Sequence, residues 1–140
     1  MLRTKLYFKI VVSLVFILLF VVLIVKKHYN PFINASDDIF TVELADKLLV
    51  IHFWYGDTKI IINNNDDIKS IFNKLADLKI KKTPPDAPKK EGAISIELVT
   101  HDKIIKLAFL SDTMIYNGNR YYMDTDVLPH IREIALKYFN

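Results

Sequence analysis

Cysteine is absent from the 140 residues, so no disulfide staples the fold, no thiol serves as nucleophile or metal ligand, and anchoring through an acylated cysteine is excluded. Glycine is nearly as scarce: Gly56, Gly92 and Gly118 stand too far apart to form a phosphate-cradling loop. No G-x-S-x-G is present, and no base is indicated near Ser36, Ser70, Ser95 or Ser111, so nucleophilic catalysis has no nominee. His28, His52, His101 and His130 lack a metal-binding spacing. Asn63, Asn65 and Asp67 begin a calcium-loop pattern, which fails where Ile68 replaces the Gly of the sharp turn and Lys74 the bidentate Glu. The acidic pairs Asp37-Asp38, Asp66-Asp67 and Asp124/Asp126 read as helix caps and solvated chain. No catalytic, cofactor or metal residue is nominated, and an Asp/His hydrolase remains only as an alternative without a named pair.

Charge is missing from residues 10–25, IVVSLVFILLFVVLIV, sixteen residues that begin at Ile10, end at Val25 and contain one Ser. As a helix the run measures about 24 Å, and Leu6 to Phe8 extend it towards a hydrocarbon core of roughly 30 Å once Lys9 snorkels to the headgroups. It therefore reads as a membrane anchor, with Tyr7 and Tyr29 near the two interfaces. A cleaved signal peptide would have a shorter apolar core and a small-residue site after it. Here Lys26, Lys27 and Pro31 follow, and the one passable site, Ile33-Asn34-Ala35, begins with a poor residue. No small-xxx-small pattern favours helix pairing in the bilayer. Arg3, Lys5, Lys9 and the α-amine before the run outweigh Lys26 and Lys27 after it, so the N-terminus is expected in the cytoplasm and the rest outside.

With the anchor set aside, the basic character disappears. Residues 1–27 carry five Lys and Arg and no acid, whereas residues 28–140 carry fourteen bases against sixteen acids, a net of −2. A phosphate-binding domain should itself be basic, so no nucleic acid partner is expected. The layout is a leader over residues 1–9, an anchor over 10–27, a tether over 28–38 and one domain over 39–140, a length that supports a single core.

Alternating or β-rich runs predict strands at residues 39–44, at Leu48–Tyr55 and at residues 59–62, joined by short turns. Asn63 to Asp67 then offers helix caps, and Ile68, Ile71, Phe72, Leu75 and Leu78 recur on one helical face. Residues 79–92, with Pro84, Pro85, Pro88 and five Lys, predict an exposed loop. Four more strands follow, the last two around Asn117-Gly118, whose residues tolerate positive φ. A second amphipathic helix carries Val127, Ile131, Ile134, Ala135 and Tyr138. The expected fold class is thus α+β: a single N-terminal transmembrane helix, then an antiparallel sheet of about six to seven strands with two amphipathic helices, in the order βββα-ββββα.

This layout resembles small membrane-anchored or lipid-anchored extracytoplasmic domains of unknown function from low-GC Gram-positive bacteria. The resemblance spans the whole chain, rests on element order without a diagnostic motif, and transfers no functional residue.

Two candidate sites emerge. Leu48–Tyr55 is apolar on both faces: Leu49, Ile51, Phe53 and Tyr55 would meet the helices, leaving Leu48, Val50, His52 and Trp54 on the other side. Either that strand is buried on both faces, or Val50, His52 and Trp54 form an exposed partner patch. Lys79, Lys81, Lys82, Lys89 and Lys90 could instead bind an anionic surface polymer or lipid headgroup. The functional expectation is a non-enzymatic, membrane-tethered extracytoplasmic binding or accessory module. Its partners are the bilayer, through Ile10 to Val25, and a protein at the membrane surface.

Overall fold

Among the described residues eight strands form one sheet in the spatial order β1-β4-β8-β7-β6-β5-β2-β3, with every neighbouring pair antiparallel. The strands are β1 (Ile33–Asn34), β2 (Leu48–Tyr55), β3 (Thr58–Ile62), β4 (Lys79–Lys82), β5 (Ile94–Thr100), β6 (Ile104–Leu110), β7 (Thr113–Tyr116) and β8 (Asn119–Met123). The α-helices among the described residues are α1 (Leu2–His28), α2 (Val42–Lys47), α3 (Asn65–Ala76) and α4 (Leu128–Leu136). The computed structural model describes residues 2–28, 31–84 and 94–139. The chain divides into two units, Met1–Pro31 and Phe32–Asn140.

The first unit is α1, a helix of 27 residues in which the apolar side chains from Ile10 to Val25 are exposed. Among the described residues no helix is long and apolar enough to cross a membrane. The charge-free run of residues 10–25 spans only about 24 Å against a core of roughly 30 Å. The fold therefore shows a long exposed apolar helix and leaves the expected transmembrane role undemonstrated.

In the second unit the α+β class holds, with more strands than the six to seven expected. α3 begins where Asn64 Oδ1 accepts hydrogen bonds from the backbone N–H groups of Asp66 (2.9 Å) and Asp67 (3.2 Å), satisfying two of the donors that a helix start leaves open. Its apolar stripe, Ile68, Ile71, Phe72 and Leu75, is buried. α4 starts at Leu128, whose N–H donates to Asp126 Oδ1 at 3.0 Å, and Pro129 falls in the first turn, where its missing N–H costs nothing. Leu128, Ile131, Ile134 and Ala135 are buried along it. These stripes join one core with the inward residues of the sheet, among them Ile51, Phe53, Ile96, Leu98, Leu107 and Phe109.

Three expectations are corrected. Residues 39–44 are not a strand: Thr41 caps α2, its Oγ1 accepting from Leu44 N–H at 3.3 Å, and Phe40 and Leu44 are both buried four residues apart. The Glu43–Lys47 pair at 2.6 Å adds the one-turn spacing that favours a helix. Residues 79–82 are not loop. Lys79–Lys82 is a strand between β1 and β8, with Ile80 buried opposite Met123, and Asp124 closes its start by accepting from Lys79 N–H at 3.0 Å. The tether is also shorter than expected: Ala35, at 0% exposure, donates its N–H to Leu78 C=O at 2.8 Å, so residues from Phe32 onward belong to the domain.

The turns agree with their residues. Asn117 (φ 48°) and Gly118 (φ 74°) both take the left-handed backbone that a two-residue hairpin of this type needs, and Gly56 (φ 58°) does the same between β2 and β3.

Candidate functional site: the uncovered face of the sheet

Side chains alternate across a strand, so the residues between the buried ones point to the opposite face. On β2 these are Val50, His52 and Trp54, all half-buried, while Ile51 and Phe53 are buried on the helix side. Leu48 does not join them. A register shift between Leu48 and Val50 interrupts the alternation, Leu48 packs against the core, and Leu49, expected inward, is 41% exposed. Tyr55, also expected inward, stands at the strand end in an edge-to-face contact with Phe139, ring centroids 6.2 Å apart.

The register brings the polar residues of this face into one row. Ile61 lies opposite His52, His52 opposite Glu97, and Glu97 opposite Lys106, crossing β3, β2, β5 and β6. His52 Nδ1 lies 3.0 Å from Glu97 Oε2, and Lys106 Nζ lies 3.7 Å from Glu97 Oε1. With Glu97 ionised, Nδ1 is the ring nitrogen that carries the proton and donates it. The His52 and Glu97 side chains are each only 15% exposed, whereas Lys106 is largely in water. The hydrogen bond from His52 holds the Glu97 carboxyl below its ordinary range against the opposing effect of burial, helped by the charges of Lys106, His52 and Lys59. In the next row Lys59 lies opposite Trp54, its Nζ 5.7 Å from the ring centroid, a cation–π contact.

Beside these rows lies a shallow concavity of about 920 Å³, lined by Trp54, Glu97, Lys103, Ile104, Lys106 and Ile115 among others. Ile104 is 54% exposed there. The chemistry on offer is recognition: an aromatic and aliphatic floor, a paired carboxylate and lysines at the rim. His52 and Glu97 form an oriented imidazole–carboxylate pair, yet no hydroxyl hydrogen-bonds to that imidazole among the described residues.

A histidine–hydroxyl contact, Ser70 Oγ to His130 Nε2 at 3.1 Å, joins α3 to α4. Beside it Asp67 accepts from Lys137 Nζ (3.0 Å) and Tyr138 Oη (2.8 Å). These two hydrogen bonds, Lys137 first, hold the Asp67 carboxyl below its ordinary range; burial chiefly, and Asp67 next, raise the Tyr138 phenol. The α3–α4 contacts clamp the helical layer. Neither Ser70 nor His130 was nominated from the sequence, because sixty positions separate them.

The lysine candidates are not gathered into one loop. Lys79, Lys81 and Lys82 lie in β4, and Lys89 and Lys90 fall outside the described residues. No group of three or more metal-binding side chains occurs among the described residues. Glu97, Lys59 and Lys106 escaped sequence reading. Their alternation on polar strand faces is visible in the chain, but which strands sit side by side is not.

An α+β domain with helices on one side of its sheet is the class that these features define. Comparison with protein-family models, with characterised proteins and with solved structures finds no match to the chain.

Proposed function

We propose that the chain is a single-pass, membrane-anchored binding module: α1 holds it in a bilayer, and the uncovered sheet face of the domain docks a protein partner outside the cell. The observation that carries the reading is that open face, where Trp54, Ile104 and Ile115 meet water on the side of the sheet away from α3 and α4. An antiparallel sheet commonly leaves one face to water, and the support for the reading is the aromatic and aliphatic side chains exposed on this one.

Three features support the anchor. The helical backbone of α1 runs 27 residues, about 40 Å at 1.5 Å each, longer than its charge-free centre. Leu6, Tyr7 and Phe8 precede Lys9 in sequence, so a snorkelling lysine adds an apolar turn to the immersed length. The excess of bases before the run favours an N-terminus inside.

Alkaline carbonate extraction of membranes from expressing bacteria tests the anchor, and protease added to intact cells tests the side. The full-length protein should stay in the pellet and its domain should be shaved from outside. Release by carbonate would overturn the anchor, digestion only after lysis would reverse the topology, and a mature N-terminus near Ser36 would make the run a cleaved signal.

A further inference from the structure

We infer that β3 is a dimerisation strand: the β3 edges of two copies pair antiparallel about a two-fold axis at Ile60 and join their sheets into one. The inference stands apart from the binding-module reading, because it concerns the edge of the sheet and leaves the open face free.

The first ground is an edge with unused hydrogen-bonding groups. β1 and β3 are the outer strands, and β1 has only two residues whereas β3 has five. Gly56-Asp57 is a two-residue turn closed by Tyr55 opposite Thr58, so that pair exchanges backbone hydrogen bonds, and in alternation so do Phe53 with Ile60 and Ile51 with Ile62. Lys59 and Ile61 therefore aim their N–H and C=O groups away from β2, and among the described residues no backbone group meets them there. Edges of this kind are ordinarily blunted by a proline, a bulge or an outstretched lysine. β3 has no proline, runs in unbroken register, and its Lys59 Nζ is drawn back over the Trp54 ring of β2, 5.7 Å from the centroid.

The second ground is self-complementarity. Full overlap of two antiparallel β3 strands sets Ile60 opposite its own copy and Lys59 opposite Ile61 of the second copy, so the outward groups meet in about four backbone hydrogen bonds. The exposed Ile61 then lies against the alkyl chain of Lys59 across the joint. Beneath the sheet α4 packs against β3, and α4 with the turn after it meets α3 through His130, Lys137 and Tyr138. By the helical spacing Leu136 and Phe139 lie on the flank turned away from that contact, and Tyr55 stands against Phe139 with ring centroids 6.2 Å apart. All three are exposed. An extended peptide from another protein would satisfy the edge but leave Leu136, Phe139 and Tyr55 wet. A second copy brings its own α4 at the same depth below the strand, so the apolar flank meets itself, as an isologous contact requires. The axis stands perpendicular to the sheet, which keeps both open faces on one side.

The chain has no cysteine, so introduced thiols report on the joint without background. In membranes holding the full-length protein, Lys59→Cys combined with Ile61→Cys should give a disulfide-linked dimer on mild oxidation, since hydrogen-bonded cross-strand residues lie about 5.5 Å apart between Cα atoms, within disulfide reach. Either variant alone should not, each position being about 8 Å from its own copy, and neither should Thr58→Cys at about 14 Å. Ile61→Pro removes an outward N–H without touching the bonds to β2, so it should halve the protein mass per particle in detergent micelles with unchanged circular dichroism. Ile61→Lys spares the backbone, sets lysine against lysine across the joint, and should have the same effect; it decides the matter if the proline disturbs the fold. The proposal is overturned by a protein that is monomeric before substitution, by links in the single variants as strong as in the pair, or by links to a different protein. A dimer that survives Ile61→Lys would also overturn it and would place the contact away from β3.

Discussion

Phe53 and Trp54 are neighbours on β2, and they occupy different environments. Phe53 is 1% exposed on the face that α3 and α4 cover, while Trp54 is half-buried on the face they leave open, with Lys59 over its ring. The covered face is aliphatic and aromatic from Ile80 on β4 to Ile62 on β3. The open face alternates apolar side chains with His52, Glu97, Lys59 and Lys106, whose charges offset one another only in part. The contrast teaches that the two faces of one sheet are built differently. Burial on the first face holds the domain together, and half-burial on the second sets polar and apolar side chains next to each other at the surface.

Adjacent substitutions on β2 would break this comparison most decisively. Phe53→Ala should cost about 3–5 kcal/mol, the usual range for a large core aromatic, whereas Trp54→Ala should cost on the order of 1 kcal/mol. Urea unfolding followed by circular dichroism measures both, and equal losses would mean that the open face is a second core.

A smaller effect sharpens the boundary of the covered layer. Ala35 has no exposed surface and lies at the start of the 3-10 turn that follows β1, so Ala35→Leu should destabilise by about 1–3 kcal/mol through overpacking. A neutral result would return residues 33–37 to a tether.

Acid titration then compares the helical layer with the open face. Asp67 and Glu97 both titrate below their ordinary range in the folded protein, Asp67 chiefly through the Lys137 hydrogen bond and Glu97 chiefly through that from His52. A depressed carboxyl contributes stability that is complete above its unfolded value and is lost as pH falls through its folded one. The melting temperature should therefore drop on acidification below the ordinary carboxylate range. Asp67→Asn should lower the melting temperature at neutral pH and flatten that acid limb, because three groups meet at Asp67. Glu97→Gln should flatten it too, without disturbing the α3–α4 clamp. An acid limb that neither variant changes would remove both carboxyls from the pH response.

The least disruptive change is Lys59→Gln. It removes the cation from the Trp54 ring and should alter Trp54 emission while leaving the unfolding midpoint within about 0.5 kcal/mol of the parent. A large loss of stability would show that Lys59 braces β3 instead of rimming the open face.

Local chemistry was legible wherever a pattern was complete within a few residues. The α3 stripe from Ile68 to Leu75, the Asn64 cap, the Asn117-Gly118 turn and the alternation of β5 need only near neighbours. Misreadings arose where short-range signals competed. Phe40 and Leu44 fit a strand until Thr41 is seen to cap a helix, and the proline-rich stretch obscured Lys79–Lys82, whose backbone partners lie on β1 and β8. His52 and Trp54 could be nominated because β2 is apolar on both sides. Glu97 and Lys106 could not, since their meeting with His52 depends on β5 falling between β2 and β6.

By itself the sequence determined the apolar helix at the N-terminus, the α+β class and the split between a basic leader and an acidic domain, because composition and periodicity act over a turn or two of chain. Only the tertiary structure decided which face of the sheet stays open and which charges share it. Strand order and register are set by the burial of the whole core, and a residue's neighbours across strands are independent of its neighbours in sequence.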